Sequence, residues 1–173
     1  MKTSLLTAGL ISTLVLMQPI LAQAEGYAAG RFARGNAAGG VSGGSGAVMR
    51  GPSGAGYRGH TYATDGQGNG VGGSSAAIRT PYGAAARGGV TTHSADGTTT
   101  HQSAAAGAGA RGRFQSSGTS SYNPATGLAA SRSTTATANS GASYSGQTSY
   151  SKGTGVSHTS TCKDPSGYEV PCR

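Results

Sequence analysis

Residues 90–101 read Val-Thr-Thr-His-Ser-Ala-Asp-Gly-Thr-Thr-Thr-His, two arms rich in β-branched residues around an Asp-Gly pair. β-branched side chains fit a pleated, half-covered surface, and Asp-Gly tolerates the positive φ angles of a tight hairpin turn. The stretch predicts a β-hairpin with a two-residue type I′ turn closed by Ala95 and Thr98. In that register residue 93 faces residue 100, so His93 and His101 fall on opposite sides of the sheet. That separation argues against a shared metal site.

Similar signals lie on both sides of this hairpin. Asp65-Gly66, Pro81-Tyr82-Gly83, Gly109-Ala110-Arg111-Gly112, Asn123-Pro124-Ala125-Thr126-Gly127, Asn139-Ser140-Gly141, Lys152-Gly153-Thr154-Gly155 and Asp164-Pro165-Ser166-Gly167 recur at nearly even intervals. The segments between them favour Thr, Ser, Val and Tyr, as in a meander of antiparallel hairpins. In Tyr122–Leu128, Pro124 presets φ and Gly127 supplies a left-handed position, which suits a four-residue loop. Pairing Asn123 with Leu128 then sets Tyr122 opposite Ala129 and Thr119 opposite Arg132. The alternation in Ser143-Tyr144-Ser145 and Ser149-Tyr150-Ser151 puts the tyrosines on one face.

Upstream of Tyr57 the texture differs. From Glu25 to Gly56 the chain is Gly, Ala and Ser with scattered Arg, including Gly39-Gly40-Val41-Ser42-Gly43-Gly44, and neither helical nor strand periodicity is visible. Such composition predicts a flexible arm. The fold class expected is therefore a disordered, low-complexity N-terminal half followed by an all-β antiparallel meander of Ser/Thr/Tyr hairpins, with disorder throughout as the alternative. The expected organisation is a signal peptide over 1–24, the arm over 25–56, the meander over 57–161 and a disulfide-closed tail over 162–173.

The signal-peptide reading rests on Lys2, the apolar stretch Leu5–Leu21 and the small-x-small site Ala22-Gln23-Ala24, with cleavage after Ala24. It predicts export to the periplasm, the cell surface or the exterior. Removing this segment takes six of seven Leu and two of three Ile with it. The remaining 149 residues hold only ten Leu, Ile, Val and Phe, too few for an ordinary core and in the range where disorder is expected. Cys162 and Cys172 are expected to form a disulfide, closing a short loop worth roughly 2 to 3 kcal/mol.

Beyond residue 24 the chain has twelve Arg and Lys against five Asp and Glu, a surplus of +7. Such a surplus favours anionic partners. Arg31, Arg34, Arg58, Arg87, Arg111 and Arg113 stand beside Gly or aromatic residues, where guanidinium groups can pair with anions and Gly permits close backbone approach. These six are the candidate anion-binding residues, with lipopolysaccharide, acidic polysaccharide or extracellular DNA as partners.

Other motifs fail on context. Gly107-Ala108-Gly109-Ala110-Arg111-Gly112 matches a dinucleotide fingerprint, yet Ala104-Ala105-Ala106 precedes it and no Asp or Glu occurs from Thr98 to Lys163. Gly40-Val41-Ser42-Gly43-Gly44 lacks the strand and helix that a nucleophile elbow needs. The loop opening at Asp65 has Ala76 where a calcium loop needs a bidentate Glu. Strands of alternating Ser, Thr and Ala lack the apolar band of an outer-membrane barrel. No cofactor, metal site or catalytic residue is expected. The expectation is a non-enzymatic structural or matrix-associated protein that self-assembles through Ser/Thr/Tyr strands, or alternatively one that binds anionic envelope polymers or extracellular DNA through Arg.

Overall fold

The computed structural model describes residues 25–172; the signal-peptide reading of residues 1–24 lies outside them. Eleven strands follow in order: β1 (Gly26–Gly35), β2 (Val41–Gly51), β3 (Gly54–Thr64), β4 (Gly70–Thr80), β5 (Gly83–His93), β6 (Thr99–Gly109), β7 (Gly112–Asn123), β8 (Gly127–Ala138), β9 (Ser143–Ser151), β10 (Gly155–Lys163) and the two-residue β11 (Glu169–Val170). They form one antiparallel sheet in which each strand pairs with the next in sequence. Among the described residues all close backbone contacts between strands run between consecutive ones, so the sheet is a one-dimensional array of hairpins.

The expected N-terminal disorder is overturned. β1 and β2 pair along their full length, from Gly26 opposite Arg50 to Gly35 opposite Val41. Two local causes order this Gly- and Ala-rich segment. Asn36 closes the β1–β2 turn: its N–H donates to the Gly40 carbonyl at 2.9 Å, and its Oδ1 accepts from the N–H of Ala38 and Gly40 at 3.0 and 3.1 Å. The Phe32 ring lies against Gly44, its cross-strand partner, 3.1 Å from where a Cβ there would stand.

The hairpin at Asp96-Gly97 also differs from expectation. Ser94 donates to the Thr98 carbonyl at 2.8 Å and Gly97 donates to the Ser94 carbonyl at 2.9 Å, with Gly97 at φ +84°. This is a three-residue loop with a glycine bulge, in which the side-chain-poor fourth position absorbs the left-handed backbone. His93 therefore pairs with Thr99, and Thr91 with His101. The two histidines share a face. The Pro124 loop is one residue shorter than expected, three residues instead of four: Asn123 pairs with Gly127, Tyr122 with Leu128 and Thr119 with Ser131.

A 29-residue hairpin repeat underlies the array. Gly54, Gly83 and Gly112, spaced 29 apart, each begin a strand at φ 141°, 154° and 144°. A Cβ at these positions would run into the carbonyl oxygen of Arg79, Ala108 or Thr137 on the neighbouring strand. Only glycine permits that approach. Asn36, Asp65, Ser94, Asn123 and Lys152 occupy equivalent places, again 29 apart, at the turns of the opposite end.

No hydrophobic side chain is buried among the described residues. Stability comes from the backbone ladder and from contacts between neighbouring rungs. All four histidines bond a cross-strand hydroxyl through Nδ1: His60 with Ser45 at 3.2 Å, His101 with Thr91 at 2.8 Å, His93 with Thr99 at 2.9 Å and His158 with Thr148 at 2.8 Å. Hydroxyl pairs add further rungs, Ser116 with Thr134 at 2.9 Å and Thr119 with Ser131 at 3.1 Å. Aromatic rings lie on glycines where no side chain would otherwise cover the backbone, Tyr62 on Gly43 and Phe114 on Gly107.

Turns are also tied to one another. Asn36 Nδ2 donates to the Thr64 carbonyl at 2.8 Å, Ala95 N–H to Asn69 Oδ1 at 2.9 Å, and Asn123 Nδ2 to Thr98 Oγ1 at 2.8 Å. At the other end Asn139 Nδ2 donates to the Ala110 carbonyl at 2.8 Å, and Ala110 N–H to that of Tyr82 at 3.2 Å. At the far edge the expected Cys162–Cys172 disulfide pins the tail against the end of β10, with a Cα separation of 5.3 Å. Pro171, which has no N–H for the ladder, ends β11.

Candidate functional site

Side chains at paired positions share a face, so the register sorts every strand residue. One face carries Arg31, Arg58, Arg87 and Arg132, together with all four histidines. Its central row runs Arg31, Ser45, His60, Ser74, Gly89, Ser103, Gly118, Arg132, Thr148, His158 across β1 to β10. The adjacent row contains Arg58 on β3 and Arg87 on β5, joined through Ala76 on β4. At the usual strand spacing those two arginines stand about 10 Å apart.

This face bends into a trough. Arg31 on β1 and Arg132 on β8 border the same cavity of about 1060 Å³, which Arg58, Arg87, His60 and His101 also line. The row on one side of the arginines is apolar, with Tyr27, Met49, Ile78 and Phe114, while the row on the other side mixes Tyr62 and Tyr150 with Thr91, His101 and Ser120. The trough is thus a cationic and hydroxyl-bearing strip with one apolar margin and one mixed margin that carries tyrosine, threonine and histidine.

The charge in it is unopposed. No carboxylate lies on strands β1 to β10: Asp65, Asp96 and Asp164 sit in turns, Glu25 precedes β1 and Glu169 is on β11. The guanidinium groups of Arg31, Arg58 and Arg87 make no hydrogen bond or ion pair among the described residues. Arg132 is held by serines, Nη1 donating to Ser116 Oγ at 2.9 Å and Nη2 to Ser103 Oγ at 3.4 Å. A concave surface lined by one sign of charge concentrates the opposite sign.

Of the six arginines singled out in the sequence, the fold brings Arg31, Arg58 and Arg87 into the trough. Arg34 and Arg113 point to the opposite face, and Arg111 lies in the β6–β7 turn. Arg132 was missed because it stands between Ser131 and Ser133, away from any Gly or aromatic residue. Only the strand register could have found it.

The acidic turns do local work. Asp65 Oδ1 accepts from the N–H of Gln67 and Asn69 at 2.8 and 3.0 Å, and Oδ2 accepts from Asn69 Nδ2 at 2.6 Å. The Asn69 side-chain bond foremost, then the backbone N–H bonds, hold the Asp65 carboxyl below the usual aspartate value. Asp96 is lowered likewise, chiefly by the Thr98 N–H, which donates to Oδ1 at 2.8 Å. Asp65 thus caps its own turn. Among the described residues no cluster of three or more His, Cys, Asp or Glu could hold a metal ion.

Compared with known protein families, curated proteins and solved structures, the chain matches none at a significant level.

Proposed function

We propose that the protein is a non-enzymatic, exported matrix component that binds a linear acidic polysaccharide along the arginine trough. The observation carrying this reading is the convergence of Arg31, Arg58, Arg87 and Arg132 on one cavity whose face holds no carboxylate on β1 to β10. Guanidinium forks pair with carboxylate or sulfate groups. Between the arginines stand Ser45, Ser74 and Ser103, short hydroxyls suited to a polyhydroxylated chain, whereas single-stranded nucleic acid calls for aromatic stacking platforms along its path. Here the Tyr and Phe residues lie in the flanking rows, and of them only Tyr27 lines the cavity. The reading is of binding without chemistry, since the Ser45–His60 pair in the trough has no carboxylate on β1 to β10 to orient its imidazole.

The test is titration of the protein with polygalacturonate, in parallel with a single-stranded DNA oligomer. R58A/R87A is expected to weaken polygalacturonate binding about tenfold, taking each exposed charge contact at somewhat under 1 kcal/mol. R34A/R113A, on the opposite face, leaves it unchanged, and added salt weakens wild-type binding. Equal losses from the two double variants would contradict a trough site. Tighter binding of DNA than of polygalacturonate would replace the polysaccharide with nucleic acid.

A further inference from the structure

The two long edges of the sheet match each other. Among the described residues β1 pairs only with β2, and all ten of its residues are exposed. At the far side β11 covers just Cys162 and Lys163, leaving Gly155–Thr161 of β10 without a ladder partner on its outer side among the described residues. Both edges therefore present unpaired backbone donors and acceptors, which template pairing with another chain.

We propose that the protein assembles head to tail with further copies of itself, β1 of one molecule pairing with the open side of β10 of the next. Strand parity permits this. With strict antiparallel alternation β1 and β10 run in opposite directions, so a second molecule in the same orientation adds its β1 antiparallel to β10 and continues the meander. The joint repeats what every internal hairpin boundary does, and a heterologous contact of this kind is open-ended.

Charge selects this arrangement over a symmetric pair. β1 carries Arg31 and Arg34, so pairing β1 with β1 brings like charges together across the joint. The open part of β10, Gly-Val-Ser-His-Thr-Ser-Thr, contains no Lys or Arg. The register that continues the rows sets Arg31 opposite His158, Gly30 opposite Thr159 and Ala33 opposite Val156. Ala28–Arg34 then fills Gly155–Thr161, and Tyr27 meets the end of β11, which acts as a stop.

Side-chain exposure points the same way. Tyr27 and Phe32 on β1 are 66% and 56% exposed and Val156 on β10 is 71% exposed, whereas Phe114 and Tyr122 on the interior β7 are 41% and 48% exposed. The edge residues lack the second cross-strand neighbour that interior strands have. Assembly supplies it.

The experiment is sedimentation velocity of the purified protein over a wide concentration range, with electron microscopy of the largest species. Wild type is expected to form elongated oligomers that lengthen with concentration. A Cβ at Gly30 meets nothing within 4 Å, so residue 30 accepts a side chain without disturbing the fold, and residues 30 and 159 lie on the face away from the trough. G30K/T159K sets like charges across the joint, and G30K/T159E sets opposite ones. The first raises and the second lowers the concentration at which oligomers appear, each by roughly two- to fivefold. A monomer at all concentrations, a closed dimer, or identical behaviour of the two variants would overturn the proposal. None of these outcomes bears on polysaccharide binding.

Discussion

The Phe114 ring lies over the backbone of Gly107, its direct cross-strand partner, so near that a Cβ on Gly107 would stand 2.6 Å from the ring edge. In a sheet with no buried hydrophobic side chain among its described residues, such a pair takes on part of the work of a core. Replacing Gly107 with Val would push the ring off the strand and against solvent. The expected cost is about 1 to 3 kcal/mol, comparable to overpacking an interior. Urea denaturation of G107V, F114A and the double variant should show non-additive losses, because once the ring is gone the valine no longer displaces it.

A second prediction concerns the asparagines that lace one turn to the next. Asn123 donates from Nδ2 to Thr98 Oγ1 at 2.8 Å and accepts at Oδ1 from Ala125 N–H at 2.9 Å. N123A removes both, together with the longer bond from Thr126 N–H to Oδ1 at 3.3 Å, and is expected to cost about 1 kcal/mol. Faster amide exchange should appear in residues 94–98 as well as in 124–126, since the lost bond joins the two turns. Acceleration confined to 124–126 would mean that the inter-turn bond contributes nothing.

Acid should loosen one end of the sheet first. The Asp65 and Asp96 carboxyls are held below the usual aspartate value by hydrogen bonds that only the ionised form accepts fully. A carboxyl with a depressed folded value stabilises the fold above its unfolded value, about 3.9, and loses that contribution as pH falls through the folded value. Hydrogen exchange between pH 5 and pH 2.5 should therefore rise, relative to the intrinsic rate, in the 65–69 and 94–98 turns. D65N and D96N should flatten that response at their own turns.

Reduction of Cys162–Cys172 should act locally. Among the described residues backbone contacts run only between consecutive strands, so freeing the tail removes support from β11 and the adjacent end of β10 and little else. Faster exchange is expected in residues 160–170, with β1 to β8 unaffected. Global unfolding on reduction would contradict the one-dimensional picture.

The C-terminal hairpins were legible in the sequence because their turns carry strong chemistry. Gly127 takes the left-handed position expected of it at φ +84°, Tyr144 and Tyr150 share a face of β9, and the two cysteines join. Register was harder. The glycine bulge at Gly97 inserts one residue into the loop, and one residue moves every later side chain to the other face. That shift is why His93 and His101 end up together on the trough side.

The N-terminal strands were illegible for a different reason. Their Gly and Ala residues have no strand preference of their own, and what orders them is Phe32 against Gly44, the Asn36 turn and the template of β3. A usable signal was nevertheless present. Asn36 stands 29 residues before Asp65, and the same step leads through Ser94 and Asn123 to Lys152, so the period that organises the clear hairpins extends into the segment read as a flexible arm. The trough follows from that period too, since Arg58 and Arg87 are one repeat apart.

The central claim is that residues 26–170 form one continuous sheet held strand to strand without a core. Residue-resolved hydrogen exchange on the native protein tests it most directly. The account predicts protection in every strand from β1 to β10, highest in β4 to β7 and declining towards both edges, with β2 exchanging well below the coil rate. Coil-like exchange throughout residues 26–51, or one uniform level of protection from end to end, would contradict it.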